Sequence, residues 1–227
     1  MKKVSVCIVT YNNENDILNV LNSIYKNTFS LELEVFVVDS NSQDNTVKLV
    51  QTNFPQVKVI PLLDNKGFGS GHNRVIDKIT SDFHVIMNPD ITFSENVLKY
   101  LADYLSENED VALVSPKILN EDGSEQYLPK RTPKFKYLIS SRLEKFGKIF
   151  KKWRSEYVMS NIIVDKPINV DFCTGCFIMI KTSLFKRLGG FDEQFFMYFE
   201  DADLVRRAQN YGKTMFNPLI SVTHSWG

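Results

Sequence analysis

Cysteine is scarce in this chain: Cys7, Cys173 and Cys176 are the only three in 227 residues. That is too few for a disulfide framework and fits a reducing, cytoplasmic setting. No apolar run approaches the ~18 residues that a membrane span requires. The run Val4 to Val9 is brief and β-branched, is broken by Tyr11-Asn12-Asn13 and lacks a small-residue cleavage site, so it reads as a strand and not a signal peptide. An excess of charge of either sign is also missing. Lys plus Arg number 27 and Asp plus Glu 27, which leaves no global reason to expect nucleic-acid binding. Ten glycines and eight prolines exclude a fibrous or low-complexity chain, and a hydrophobic fraction of 43% excludes wholesale disorder. What remains is long enough for one sizeable domain with a real core.

The first half alternates strand and helix patterns. Val4 to Val9, Val35 to Val38, Val57 to Leu62, Phe83 to Met87 and Val111 to Val114 read as short buried strands. Between them, Ile17, Val20, Leu21, Ile24 and Tyr25 share one helical face, a second helix is expected from about Asp44, and Ser94 to Ser106 buries Val97, Leu98, Leu101 and Leu105. A Gly-rich loop, Asp64 to Gly71, is expected to lead into a helix carrying Val75, Ile76 and Ile79. Such alternation predicts a doubly wound, mostly parallel sheet whose ligand lies outside the carboxyl ends of its strands. Thr10 to Asn12, Asp39 to Ser42 and Asn88 to Asp90 all sit at such ends.

The second half differs. Lys130 to Arg154 holds ten Lys or Arg against the single acid Glu144. With Tyr137, Leu138, Leu143, Phe146, Ile149, Phe150 and Trp153 at helical spacing, residues 136–154 read either as a basic amphipathic helix on an anionic membrane surface or as a helix packed on the domain with solvated lysines. Phe177 to Ile180 is a further strand, followed by a helix, a Gly-Gly turn and the acidic segment Phe195 to Arg207.

Several residues could carry chemistry. Asp39 and Asp90 end strands, where a carboxylate reaches a base, a ribose or a metal, or simply caps the next turn. The run Asn65-Lys66-Gly67-Phe68-Gly69-Ser70-Gly71-His72-Asn73 suits backbone approach to a phosphate, yet it is not the dinucleotide fingerprint and follows the third strand, which disfavours a nicotinamide-dependent oxidoreductase. Glu200, Asp201 and Asp203 cannot all face one way on a helix. One or two of them can enter a partly apolar pocket as a general base, or they can serve as dipole-stabilised acids with Arg206 and Arg207 as partners. Cys173-Thr-Gly-Cys176 lacks the further ligands of a zinc site and the helix start of a redox pair. His224 could complete an oxygen/nitrogen site for a divalent metal.

In order, VSVCIVTYNN, FVVDSNSQDNT, DNKGFGSGHN, VIMNPDI, VDFCTGCFIMI, GGFDEQFFMYFEDADLVRRA and VTHSWG resemble a family 2 glycosyltransferase of the GT-A fold. NKGFGSGHN with MNPD, and GFDEQFFMYFEDADL, resemble the bacterial rhamnosyltransferases that build O-antigen and other surface polysaccharides, capsule among them. The resemblance implies a Rossmann-like α/β domain over 1–227, with a nucleotide-sugar-binding half (1–116) and a smaller acceptor-side half (117–227). It also implies that relatives continue with helices beyond Gly227, so that the sequence is either a piece of a longer chain or a short member.

Residue by residue, the resemblance implies that Thr10, Tyr11 and Asn12 line the nucleotide pocket and that Asp39 bonds the pyrimidine. Asn65, Gly67, Gly69 and Asn73 would lie along the nucleotide-sugar. Asn88-Pro89-Asp90 occupies the metal-binding D-x-D position with its first acid replaced. Asp90 would hold Mg²⁺ or Mn²⁺, with His224 as a further ligand or a diphosphate contact. Gly175 and Cys176 would sit beside the sugars, and Asp201, paired with Glu200, matches the catalytic base. The implied reaction is inverting transfer of L-rhamnose from dTDP-L-rhamnose to a lipid-linked oligosaccharide, in the cytoplasm or at the inner face of the plasma membrane. A UDP-hexose or UDP-N-acetylhexosamine donor is the alternative, and a non-catalytic, membrane-associated nucleotide-sugar-binding module a distant one.

Overall fold

The computed structural model describes residues 1–126, 147–157 and 164–225. Among them, nine strands form one sheet in the order β3-β2-β1-β4-β8-β6-β9-β5, with β7 paired to β9. The chain runs β1 (Lys3–Thr10), α1 (Ile17–Asn27), β2 (Glu32–Asp39), α2 (Thr46–Asn53), β3 (Lys58–Pro61), α3 (Phe68–Asn73), β4 (Phe83–Met87), β5 (Ile91–Thr92), α4 (Val97–Glu107) and β6 (Val111–Leu119). It continues with α5 (Lys148–Tyr157), β7 (Ile168–Asn169), β8 (Phe177–Lys181), α6 (Thr182–Arg187), α7 (Glu200–Ala208) and β9 (Lys213–His224).

The expected parallel sheet is present in β3-β2-β1-β4, where every pairing is parallel. Beyond β4 the sheet is mixed. β8 enters antiparallel between β4 and β6, and β9 runs parallel to β6 but antiparallel to β5 and β7. Strands buried on both faces divide their side chains by the period of two. Val4, Val6 and Ile8 of β1, Val35 and Val37 of β2, and Phe177 and Met179 of β8 face one core with α1 and α4. Cys7 and Val9, Phe36 and Val38, and Ile178 and Ile180 face the other, with Phe185, Phe191, Leu204 and Val205.

One expectation needs correction. The Gly-rich run is loop only over 64–67: Phe68–Asn73 is itself the helix α3, and residues 74–78 follow as turn where a helix was expected. A Cβ on Gly69 would sit 2.8 Å from the Phe191 Cβ, and one on Gly71 would sit 2.7 Å from a Val9 methyl. Glycine therefore permits close helix packing here. The twelve-residue β9 also carries no clean alternation, because Asn217-Pro218 interrupts it. Its register to β6 jumps from Pro116↔Asn217 to Lys117↔Ser221, a bulge that accommodates a proline lacking a ladder donor. Of the expected basic helix, residues 136–146 lie outside the described residues. No described helix is long and apolar enough to cross a membrane.

Candidate active site

The carboxyl ends of β1, β2 and β4 meet on one edge. Thr10 pairs with Asp39 in register, and the Thr10 hydroxyl donates to Asp39 Oδ1 at 3.0 Å. Ser42 donates its hydroxyl to Asp39 Oδ1 (2.5 Å) and its backbone N–H to Oδ2 (2.9 Å), and in turn accepts the N–H of Asn12. The Asn12 side chain accepts the Gln43 N–H at 2.8 Å, which stitches the two strand-end loops together. Asp39 is only 2% exposed, so it organises this edge as much as it could read a ligand. Tyr11 is half exposed beside it. Ser42 closes the Asp39 to Ser42 cluster expected at this edge, and a serine three residues after an aspartate is a recognisable turn partner.

A second cluster forms where β5 and β9 pair, with Ile91 opposite His224. His224 Nε2 lies 3.2 Å from Asp90 Oδ1 and 3.4 Å from Asn88 Nδ2, and its Nδ1 lies 3.2 Å from Gln126 Oε1. Gln126 fixes the tautomer. Its Nε2 donates to Asn120 Oδ1 and to the His224 carbonyl, so its Oε1 faces Nδ1, and Nδ1 carries the proton. In a neutral ring Nε2 then turns a lone pair toward Asp90 Oδ1, an otherwise unpartnered buried oxygen. Two electron-pair donors facing each other suit a cation between them. A carboxylate with an imidazole, the remaining positions left to diphosphate oxygens and water, is a donor set that Mg²⁺ or Mn²⁺ accepts. Among the described residues no third His, Cys, Asp or Glu joins them. Gln126 carries no sequence signal, and its hydrogen bonds alone tie it to the site.

The third group is the start of α7. Asp201 Oδ2 accepts the Gly175 N–H at 3.0 Å and its Oδ1 accepts the Ala202 N–H at 2.7 Å. Gly175 is tight against this side chain, a Cβ there falling 3.1 Å from Asp201 Cβ. Asp203 is engaged elsewhere: Arg207 binds it through Nε (2.7 Å) and a terminal nitrogen (2.6 Å). Glu200 is buried, its Oε2 is unpartnered, and burial, with the neighbouring Asp201 charge, pushes its carboxyl above the ordinary carboxylate range. The loop between the clusters joins them, since the Asn88 N–H donates to the Cys176 carbonyl at 2.9 Å and the adjacent Gly175 holds Asp201. The cysteines themselves are buried thiols, Cys176 being pushed up to about 12 by burial, which makes them unreactive.

The Gly-rich run also has a packing role. Asn65 Oδ1 accepts the Gly67 N–H at 3.0 Å, and Gly67 takes φ 91°. The Asn73 side chain is engaged by the turn after Gly190. Its Nδ2 donates to the Phe191 carbonyl (2.9 Å) and to Glu193 (3.1 Å), and its Oδ1 accepts the Phe191 N–H (2.9 Å). From the other side Arg207 of α7 grips the carbonyls of Leu188 and Gly190. The turn 188–191 thus ties the Gly-rich helix to the helix that bears Asp201.

Comparisons with known proteins bear on the fold and the family. The chain is 26% identical over 208 residues to the N-acetylglucosaminyl-diphospho-decaprenol L-rhamnosyltransferase of Mycobacterium tuberculosis, covering 85% of this chain and 66% of that protein. It is 34% identical over 148 residues to the poly(ribitol-phosphate) beta-N-acetylglucosaminyltransferase TarS of Staphylococcus aureus, covering 63% of this chain and 26% of TarS. The TarS 1–349 crystal structure superposes with a TM-score of 0.69 at 22% identity, over 98% of this chain and 60% of that one. GalNAc-T7, crystallised with UDP, GalNAc and Mn²⁺, gives 0.73 at 16% identity over 100% of this chain and 44% of its own. Both superpositions establish the GT-A fold. The described chain spans about two thirds or less of these proteins. The Glycosyl transferase family 2 profile matches residues 5–189, a span that includes the Thr10–Asp39 edge, Asp90 and Gly175, and the chain belongs to that family.

Proposed function

We propose that this chain is the catalytic domain of an inverting, divalent-cation-dependent glycosyltransferase that moves L-rhamnose from dTDP-L-rhamnose to a saccharide acceptor, lipid-linked in the cell. One observation carries the reading: a single loop, Gly175-Cys176, bonds on one side to the Asp201 carboxylate and on the other to the backbone of Asn88, two residues before the Asp90 that faces His224. Residues 1–116 would hold the nucleotide-sugar and 117–227 the acceptor side.

The chemistry follows from these positions. Thr10, Tyr11, Asn12 and Asp39 form the floor on which the base and ribose would rest. Asp90 and His224 would hold Mg²⁺ or Mn²⁺, which when bound stabilises the charge that grows on the departing diphosphate. Asp201, oriented by the Gly175 N–H, takes the proton from the attacking acceptor hydroxyl. Glu200 lies buried beside it, its carboxyl held above the ordinary range by that burial and by the Asp201 charge. With one base and direct displacement from the opposite face, the anomeric carbon inverts. A retaining mechanism of the hydrolase type would need two carboxylates about one bond.

A UDP-N-acetylhexosamine donor is the second reading, favoured by the 34% identity to TarS. Calorimetric titration with dTDP, UDP and GDP, each with and without Mn²⁺, separates them. Metal-dependent binding that favours dTDP and falls away in Asp90→Ala supports rhamnosyl transfer, whereas preference for UDP moves the donor to a UDP-hexose. A folded sample that binds none of the three would overturn the transferase reading.

A further inference from the structure

Phe196, Met197, Tyr198 and Phe199 are four consecutive large apolar residues, exposed by 55%, 54%, 73% and 73%. A single exposed aromatic needs no explanation, but a contiguous run marks a surface that gains a partner. Nor is this run slack. Tyr198 (φ 68°) and Phe199 (φ 71°) both lie in the left-handed region, where bulky residues persist only if their surroundings hold them. The surroundings do so at both ends. A Cβ on Gly67 would fall 1.9 Å from the Phe196 carbonyl oxygen, so the Gly-rich helix is seated on the backbone of the run. Downstream, the Phe199 carbonyl accepts the Asp203 N–H at 2.9 Å, and Arg207 fixes Asp203. The aromatic rings are therefore presented outward by contacts from both sides of the site.

Three observations select the occupant. The run continues directly into Glu200-Asp201, so a molecule resting on it reaches the group that takes the acceptor's proton, and it is therefore the acceptor and not the donor. From Gly189 to Val205 there are five acids (Asp192, Glu193, Glu200, Asp201 and Asp203) and no Lys or Arg; Glu193 and Asp203 are paired with Arg74 and Arg207, so this segment presents carboxyl oxygens and supplies no cation of its own to bind the phosphates of a lipid headgroup or an anionic membrane. Apolar ring faces bordered by carboxylate acceptors match the two kinds of surface on a sugar, its C–H faces and its hydroxyl donors. We propose that Phe196–Phe199 form the acceptor platform, with Tyr198 and Phe199 stacking on a neutral pyranose of the acceptor glycan. This rests on the transferase reading of Asp201.

The test uses methyl β-N-acetylglucosaminide and methyl α-rhamnoside as soluble probes. Saturation-transfer NMR would be recorded with a nucleoside diphosphate and diamagnetic Mg²⁺ present, on the wild type, Tyr198→Ala, Tyr198→Leu and Phe199→Gly. The expected result is transfer to the C–H protons of at least one glycoside, reduced at least fivefold in all three variants, with nucleoside diphosphate affinity within threefold of wild type by calorimetry. Tyr198→Leu keeps an apolar side chain but removes the ring face, and Phe199→Gly relieves backbone strain, so loss in both is not a folding defect. No contact with either glycoside in a wild type that binds the diphosphate would overturn the platform. So would contact that survives in the variants, or binding to phosphatidylglycerol vesicles that the variants abolish. If no diphosphate binds but glycoside contact depends on Tyr198 and Phe199, the platform stands and the transferase reading falls.

Discussion

Asn73→Ala separates two roles that position alone confuses. As a ligand contact, Asn73 would matter to nucleotide affinity; as placed here, it matters to stability. Its amide makes two hydrogen bonds to the Phe191 backbone, both 2.9 Å, and one of 3.1 Å to Glu193. Phe191 is 3% exposed, so truncation strands a buried N–H and a buried C=O, each costing about 1–3 kcal/mol when unpaired. Water admitted to the vacated space would recover part of that, and the net loss should be ~2–4 kcal/mol. At about 2–4 °C per kcal/mol for a domain of this size, the melting temperature should fall by roughly 5–15 °C. Urea unfolding should show a lower midpoint with an unchanged slope, and calorimetry should show nucleoside diphosphate affinity within about threefold of wild type. The reasoning is refuted if stability is unchanged, or if stability holds while affinity drops tenfold.

Three other outcomes are expected. His72 and His84 are buried and held neutral by desolvation, His84 with its pKa lowered to about 3 and His72 well below its ordinary value. The unfolded chain therefore takes up protons that the native one does not, and stability present above about pH 6.5 is lost as pH falls through it, by up to ~1.4 kcal/mol per pH unit for each histidine. Urea midpoints between pH 8 and 5 should show this, and His72→Leu should halve the slope, since both ring nitrogens are unpartnered. Gly67→Ala sets a Cβ 1.9 Å from a backbone oxygen at φ 91°, and should destabilise by about 3 kcal/mol or more while weakening nucleotide binding, as read by paired melting and titration. His224→Ala should reduce the Mn²⁺-dependent gain in nucleoside diphosphate affinity at least tenfold, with little change in the binding seen in EDTA.

The strand ends were legible because a period of two and abrupt polar stops are written locally. Thr10, Asp39 and Asn88 could be placed on one edge from the alternation alone. The Gly-rich helix was not, because glycine is a poor helix former, and the packing that demands it comes from Phe191, more than 100 residues away. β9 was hidden by Asn217-Pro218, a pair that reads as a turn and here forms a bulge. The partner of His224 could be named as a carboxylate, but its tautomer depends on Gln126, a residue with no local signature. The choice among Glu200, Asp201 and Asp203 also required three-dimensional contacts: Arg207 claims Asp203, Gly175 holds Asp201, and Glu200 is left buried.

The central claim is that Asp201 removes the acceptor proton in a transfer that Asp90 and His224 prepare. The most direct measurement is single-turnover sugar transfer by Asp201→Asn at saturating nucleotide-sugar and Mn²⁺, with donor affinity measured on the same sample. The amide keeps an oxygen to accept the Gly175 N–H but cannot take up the proton. Turnover should fall by about 10²–10⁴ with donor affinity within about threefold of wild type. Turnover within tenfold of wild type, with the donor bound, would contradict the account.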